Sequence, residues 1–280
     1  MKTLDIVAYN NPFANAFKLI VGCPILESLS LEVTKCNSEE DLIFNIPTLK
    51  RLKLSLSFIN PASVINKVVL NVPNLEYLFV DGVSSSSFVM EDVSSLVNLP
   101  CLKTLDIVAY TNPFVNAFKL INDCPVLESL SLEITMCKYK KDFMFIIPTL
   151  KRLKLSFIKH ASVLNKIVLN VPNFEYLFVH GVLSSSFVME DVSSLVEASI
   201  SCTQMRNHHL WFELLKGING VQSLSAKNVI SNIDFKIPLS SPLLVFPNMK
   251  HLELKDVCQY GQISHFLERC PGLKHLRIDM

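Results

Sequence analysis

Glycine is scarce in this chain, at 7 of 280 residues, and neither GxGxxG nor GxxxxGK occurs. Loops that cradle phosphates through glycine-rich backbone are therefore excluded. A dominant charge is missing as well: 26 Lys and Arg stand against 25 Asp and Glu, for a net charge of +1. Clustered basic surface is what grips nucleic acid or an anionic membrane, so neither partner is expected. No apolar run approaches the roughly 18 residues that a membrane-spanning helix needs. The start, Met1-Lys2-Thr3-Leu4-Asp5, brings an acidic residue before any apolar core of a signal peptide could form. No Asn-x-Ser/Thr acceptor is present either. These absences predict a cytoplasmic or nuclear protein, or one that occupies both.

The motifs of catalysis are missing too. There is no HExxH, no GxSxG and no Ser/His/Asp constellation, so the chain is expected not to be an enzyme. Eight cysteines are present, but Cys23/Cys36 and Cys124/Cys137 lack the spacing of a structural zinc or redox site. Cys23, Cys124 and Cys270 each precede a proline at a position that other aliphatic residues hold elsewhere, and they are expected to pack as small buried hydrophobes. His208-His209 followed by Trp211 offers no cysteine or carboxylate at ligand spacing, and a surface or partly buried pair is expected. No metal and no cofactor is expected.

What the chain does have is apolar mass and repetition. Half of its residues are hydrophobic and 18% are charged, which suits a large core. Residues 2–54 recur at 103–155, about three quarters identical: KTLDIVAYNNPFANAFKLI is answered by KTLDIVAYTNPFVNAFKLI from Lys103. FVMEDVSSLV closes both copies, so the tandem duplication covers 2–97 and 103–196. Self-similarity of this kind points to stacked repeats.

A finer period lies inside each copy. The phrase apolar-Pro-x-apolar-x-x-Leu-x-apolar appears as CPILESLSL, IPTLKRLKL, VPNLEYLFV, LPCLKTLDI, CPVLESLSL, IPTLKRLKL, VPNFEYLFV, FPNMKHLEL and CPGLKHLRI, and holds nine of the 14 prolines. Two weaker versions, SSLVEASI and NGVQSLSA, fill the gap. The residues at the Leu position are 4, 29, 52, 78, 105, 130, 153, 177, 198, 224, 252 and 276, with Ala198 in that slot once. Their spacing averages close to 25 residues, inside the roughly 20–29 of leucine-rich repeats, which carry one strand each.

The strand period of two then assigns the faces. In Arg51-Leu52-Lys53-Leu54-Ser55 the leucines point inward and the other three to the open face. Proline cannot give an N–H to a ladder, so it belongs just ahead of the strand. Return segments such as residues 11–20 and 262–269 read as short helices, with Asn11-Pro12 as cap and first helical position. The fold expected is α/β: a leucine-rich-repeat solenoid, a curved horseshoe with its parallel sheet on the concave face and short helices and loops on the convex face. A single domain of about eleven irregular repeats over 1–280 is expected.

CPVLESLSL, VPNFEYLFV, SSLVEASI and FPNMKHLEL resemble the wording of plant F-box proteins with irregular leucine-rich repeats, many of which carry a C-terminal FBD domain. The resemblance spans essentially the whole chain. It implies that the repeats hold a protein substrate while an F-box docks on a Skp-type adaptor of a cullin ubiquitin ligase. No F-box and no FBD domain is read in these residues, and neither end reads as a polar capping unit. A truncated or partial receptor is expected, fraying at its ends and meeting the adaptor only if an F-box lies upstream. A stand-alone interaction module or truncated duplicate with no ligase role is the alternative. In many leucine-rich repeats an asparagine ladder lies three residues past the second inward residue. Here those slots hold Thr34, Ser57, Val83, Tyr110, Thr135, Ile158 and Val257, so irregular loops are expected.

The open face supplies the candidate site for a protein partner: Arg51 and Lys53 beside Tyr77 and Phe79, and in the second copy Arg152 and Lys154 beside Tyr176 and Phe178. Tyr and Arg dominate interface hot spots. Cross-strand pairing that merely stabilises the sheet is the competing reading. The runs Ser84–Ser87 and Ser184–Ser186 read as flexible surface loops. The exchange of Glu39-Glu40-Asp41 for Lys140-Lys141-Asp142 between copies marks a tolerant, solvated loop.

Overall fold

The computed structural model describes residues 1–9, 18–20, 22–36, 42–58, 68–83, 99–109, 121, 124–135, 142–158, 166–183, 185–203, 208–229, 244–256 and 260–279. They group into two compact units, Met1–Met136 and Cys137–Met280. The first unit holds β1 (Thr3–Tyr9), β2 (Ser28–Cys36), β3 (Leu42–Asn45), β4 (Arg51–Phe58), β5 (Val68–Asn71), β6 (Tyr77–Val83), β7 (Thr104–Ala109) and β8 (Ser129–Ile134). The second holds β9 (Phe143–Ile146), β10 (Arg152–Phe157), β11 (Lys166–Asn170), β12 (Tyr176–Gly181), β13 (Ser186–Asp191) and β14 (Glu197–Cys202). After these come helix α1 (His208–Gly217), β15 (Ser223–Lys227), β16 (His251–Lys255), helix α2 (Tyr260–Leu267) and β17 (His275–Asp279).

Each unit is a stack of coils. In the first, β1, β2, β4, β6, β7 and β8 pair in parallel, and Leu4, Leu29, Leu52, Leu78, Leu105 and Leu130 stand in one register row. In the second, β10, β12, β14, β15, β16 and β17 do the same with Leu153, Leu177, Ala198, Leu224, Leu252 and Leu276. The marker positions read from the sequence are thus the inward row of a leucine-rich-repeat solenoid. Leu52, Leu78, Leu105, Leu130 and Leu153 are fully buried, and burying each side chain stabilises the fold by about 1.5–3 kcal/mol. At the last strand the row runs out: Leu276 and Ile278 are exposed.

Proline does more than precede the strand. Leu49 N–H donates to Ile46 C=O across Pro47, Leu75 to Val72 across Pro73, Leu150 to Ile147 across Pro148 and Leu273 to Cys270 across Pro271. These are β-turns with proline at the second position, where its fixed φ is already correct. The turn delivers two consecutive N–H groups to one carbonyl of the preceding coil. Lys50 and Arg51 both donate to Glu27 C=O, Glu76 and Tyr77 to Lys50 C=O, and Glu175 and Tyr176 to Lys151 C=O.

Side chains at the turn repeat the connection. Asn74 Nδ2 donates to Pro47 C=O at 2.7 Å, Asn173 Nδ2 to Pro148 C=O at 2.7 Å, and Thr48 Oγ1 to Leu26 C=O at 2.8 Å. The residue after proline therefore supplies polar rungs of its own between coils. Among the expected asparagine slots, Tyr110 and Val257 lie outside the described residues, while Thr34 Oγ1 reaches Ala8 C=O at 3.5 Å. At the residue before Arg51, Tyr77 and their counterparts, the first unit alternates in sign: Lys2, Glu27, Lys50, Glu76, Lys103, Glu128. Glu27 joins Lys2 at 2.7 Å and Lys50 at 3.2 Å, and the Lys2 hydrogen bond followed by that of Lys50 holds its carboxyl below the usual range.

The back of the coils differs in part from the helices and loops expected there. β3 and β5 pair in the first unit, and β9, β11 and β13 in the second, as short parallel sheets. Leu42, Phe44, Phe143 and Phe145 point inward while Ile43, Asn45, Met144 and Ile146 are exposed. Such short β-branched and aromatic runs alternate with a period of two, and the Pro47 and Pro148 turns follow at once, leaving no room for a helix. Helices appear where the return is longer. α2 matches the helix expected over 262–269, and α1 buries Trp211, Leu214 and Leu215 completely. Of the helix expected over 11–20, Lys18–Ile20 are helical and 11–17 lie outside the described residues.

Several smaller expectations need correction. Ser185 is buried and Ser186 opens β13, so these two serines do not form a surface loop; Ser184 and Ser84–Ser87 lie outside the described residues. Cys124, Cys202 and Cys270 are buried, and burial pushes the Cys270 thiol up to about 11, but Cys23 is only half-buried. Residues 39–41 and 140–141 also lie outside the described residues.

Gly82 and Gly181 close the same strand in the two copies with φ of 87° and 110°. A Cβ at Gly181 would sit 1.9 Å from Phe157 O, and one at Gly82 1.5 Å from Leu56 O, so only glycine fits. Gly181→Ala is expected to destabilise the chain by about 1–3 kcal/mol or more in urea melts. Leu130→Ala should cost roughly 2–5 kcal/mol because its neighbours cannot fill the cavity. Ser131→Ala, on the open face one residue along, should stay within about 0.5 kcal/mol. Equal losses for Leu130→Ala and Ser131→Ala would contradict the face assignment.

Candidate functional site

The alternation that buries Leu52 and Leu54 turns Arg51 and Lys53 outward, and the register sets them against Tyr77 and Phe79 of the next face strand. The Arg51 guanidinium lies 4.8 Å from the Tyr77 ring centroid, and Lys53 Nζ 5.4 Å from that of Phe79. On the far side, Tyr77 Oη donates to Asp106 Oδ2 at 3.1 Å. Cation, ring and carboxylate thus form a row across β4, β6 and β7. Partial burial pushes the Tyr77 phenol up, the Asp106 charge adds to this, and Arg51 opposes it. Ser55 Oγ meets Asp81 Oδ2 at 3.3 Å in the same surface.

The second copy repeats the residues in different company. Arg152 and Lys154 are exposed on β10 and stand in register with Tyr176 and Phe178 on β12. Phe178 stacks on His180 of its own strand, with centroids 6.2 Å apart and the rings within 20° of parallel. The next strand presents Glu197 opposite Tyr176 and Ser199 opposite Phe178. Burial pushes the Tyr176 phenol up, Glu197 adds to this, and Arg152 opposes it. The structure therefore brings each predicted quartet together on one open face, and in the first quartet the exposed Arg51 and Lys53 pair internally with the half-buried Tyr77 and Phe79.

Two groups on the second unit's face escaped the sequence reading. His251 and His275 stack with centroids 4.8 Å apart and rings within 4° of parallel. Glu253 gathers Lys255 at 2.7 Å, Ser225 Oγ at 2.8 Å and Arg277 at 3.6 Å, and the Lys255 hydrogen bond, then that of Ser225, holds its carboxyl below the usual range. The signal was available, because His251 and His275 hold the same offset from Leu252 and Leu276, while Arg277 holds the offset of Glu253. Matching residues in adjacent coils necessarily meet.

A cleft of about 330 Å³ in the second unit is lined by Glu190, Asp191, Ser193, Asn219 and Asn248, but Asp191 Oδ1 already accepts the N–H and hydroxyl of Ser193. His209 is exposed and lies 4.0 Å from Glu213, Trp211 is buried, and no metal-holding cluster occurs among the described residues. No described helix is long and apolar enough to cross a membrane.

Stacked parallel coils of about 25 residues with an inward leucine row and an outward polar and aromatic row define a leucine-rich-repeat protein. The chain is related by sequence to plant F-box/LRR-repeat proteins. An F-box/FBD/LRR-repeat protein of Arabidopsis thaliana is 30% identical over 223 residues, covering 72% of this chain and 46% of the relative. An F-box protein of the same plant is 29% identical over 207 residues, covering 69% and 47%. An FBD-associated F-box protein, also from this plant, is 26% identical over 197 residues, covering 64% and 42%. The chain spans about half the length of the curated relatives it matches. No protein-family model matches it.

Replacing Asp106 with Asn removes the carboxylate charge beside Tyr77. The Tyr77 phenol should then titrate at lower pH than in the parent, read by the ring-carbon chemical shift of labelled tyrosine. An unchanged titration would mean that Asp106 does not face it.

Proposed function

We propose that this chain is a non-enzymatic recognition scaffold that binds a protein partner on the open face of its strands, as the substrate-holding repeats of an F-box receptor would. Carrying this reading is the recurrence of the Arg/Lys–Tyr/Phe quartet at the same register in both copies: Arg51, Lys53, Tyr77 and Phe79, then Arg152, Lys154, Tyr176 and Phe178. Core packing explains why leucines recur, but it places no demand on which residues stand on the solvated face. Arginine and tyrosine beside one another are what protein interfaces favour at their centres. The relatives' names support the ligase setting, in which a Skp-type adaptor would meet an F-box and the repeats would present the substrate.

The test is a photo-crosslinking amino acid placed at Phe178, and separately at Ile146 on the exposed side of the back sheet, in chain expressed in plant cells. Discrete partner adducts should form from position 178 and be absent from 146. Adducts from 146 alone would overturn the assignment of the face. A Skp-type adaptor is expected not to co-purify with this chain, in whose residues no F-box is read, and its presence in the adduct would mean that a docking segment lies inside the repeats.

A further inference from the structure

The two quartets share residue types and register but not neighbours, and the first shows what the second lacks. In the first unit the set is closed on itself. Arg51 and Lys53 lie over the rings of Tyr77 and Phe79, and the Tyr77 hydroxyl is held by Asp106, the residue in register with Phe79. In the second unit the residue in register with Phe178 is Ser199. Ser199 lies past the end of the duplicated block, so a hydroxyl stands where the first unit has a carboxylate. Among the described residues, no hydrogen-bond acceptor is found for the Tyr176 hydroxyl, and no salt bridge or ring contact for Arg152 or Lys154.

The surrounding charge differs in the same sense. The open face of the first unit sets Arg51 and Lys53 against Asp5, Glu32, Asp81, Asp106 and Glu133. That of the second sets Arg152, Lys154, Lys227, Lys255 and Arg277 against Glu197, Glu253 and Asp279. Glu197 stands beside Tyr176, and among the described residues of the second unit no other carboxylate faces the strands of the quartet. Toward Phe178 the next strand offers the Ser199 hydroxyl in place of a charge.

We infer that the surface formed by Arg152, Lys154, Tyr176 and Phe178, with Ser199 at its edge, binds an acidic peptide segment carrying an aromatic residue. A carboxylate of the segment occupies the place that Asp106 holds in the first unit, accepts from the Tyr176 hydroxyl and lies within reach of Arg152 or Lys154. The segment's aromatic ring packs on the Phe178–His180 stack. Charge-assisted hydrogen bonds of this kind are the stronger ones, and the partly buried ring beside them lowers the local dielectric. The inference rests on the reading of the open face as the recognition surface and names the chemistry of its partner.

The full chain is titrated, by fluorescence polarisation, into a labelled peptide DDFDD and its neutral counterpart NNFNN. The acidic peptide should bind at least about tenfold tighter. Ser199→Asp, which restores the internal carboxylate, should weaken it about tenfold, and so should Arg152→Ala with Lys154→Ala. Lys166→Ala with Lys216→Ala, which removes the same charge away from the open face, should change it less than about twofold. Circular dichroism melts confirm that each variant is folded. Equal binding of the two peptides overturns the inference, as does acidic binding that is indifferent to both Ser199→Asp and the Arg152/Lys154 variant. A pSpSFpSpS peptide that binds where DDFDD does not would overturn it as well, in favour of phosphate. Partner adducts from position 178 alongside any of these failures leave the recognition surface standing, and loss of both removes the two readings together.

Discussion

Everything in this chain hangs on one turn. At the end of each return segment an apolar residue accepts a hydrogen bond from the residue three positions on, with proline or its substitute between them. The next two backbone N–H groups are thereby aimed at a single carbonyl of the coil before. That shared carbonyl sets the register, and a slip of one residue would carry the inward leucines to the open face and the arginines into the core. Leucines supply most of the stabilisation, but they are interchangeable along the row. The turn decides which leucine meets which. Asn74, Asn173 and Thr48 reinforce the same junction from the side chain, so the residue after proline is as much a part of the register as proline itself.

Much of this was legible because a repeat averages its own signal. One CPILESLSL would say little, whereas the same phrase returning with proline in place fixes the strand, its two faces and its neighbours. The back layer was harder to read. LIFN and FMFI are too short for periodicity to separate a strand from a helical turn, and the arbitrating fact is tertiary: a partner run one coil away offers its backbone for pairing. Ser185 was misread for the same reason, since a serine run looks solvated until the coil above it covers it. α1 was overlooked because SSLVEASI and NGVQSLSA were read as a weakened phrase, while Trp211, Leu214 and Leu215 between them follow a helical spacing.

The candidate site was legible as a set of residues but not as a set of contacts. The sequence places Arg51 beside Tyr77 through register alone. Whether the cation sits over the ring, and whether the hydroxyl is already occupied, depends on Asp106 one strand further and on rotamers that no spacing encodes. The two copies make the point sharply. Identical quartets differ because the strand beyond them is Thr104–Ala109 in one case and Glu197–Cys202 in the other, so the boundary of the duplication, rather than the duplicated residues, sets their chemistry.

The alternating row at the start of the face strands bears on how such a gene can grow. Lys2, Glu27, Lys50 and Glu76 are followed by Lys103, Glu128, Lys151 and Glu175, so the duplicated block holds four coils. An even block returns to its starting sign, and its last carboxylate, Glu76, hands on to Lys103. Unequal recombination that added three coils, or one, would set ammonium beside ammonium or carboxylate beside carboxylate at the new seam, a repulsion between strand neighbours. The sign alternation therefore gives a small electrostatic preference to copies made in pairs of coils, a preference that lapses beyond the duplicated block, where Lys250 and Lys274 stand on neighbouring coils.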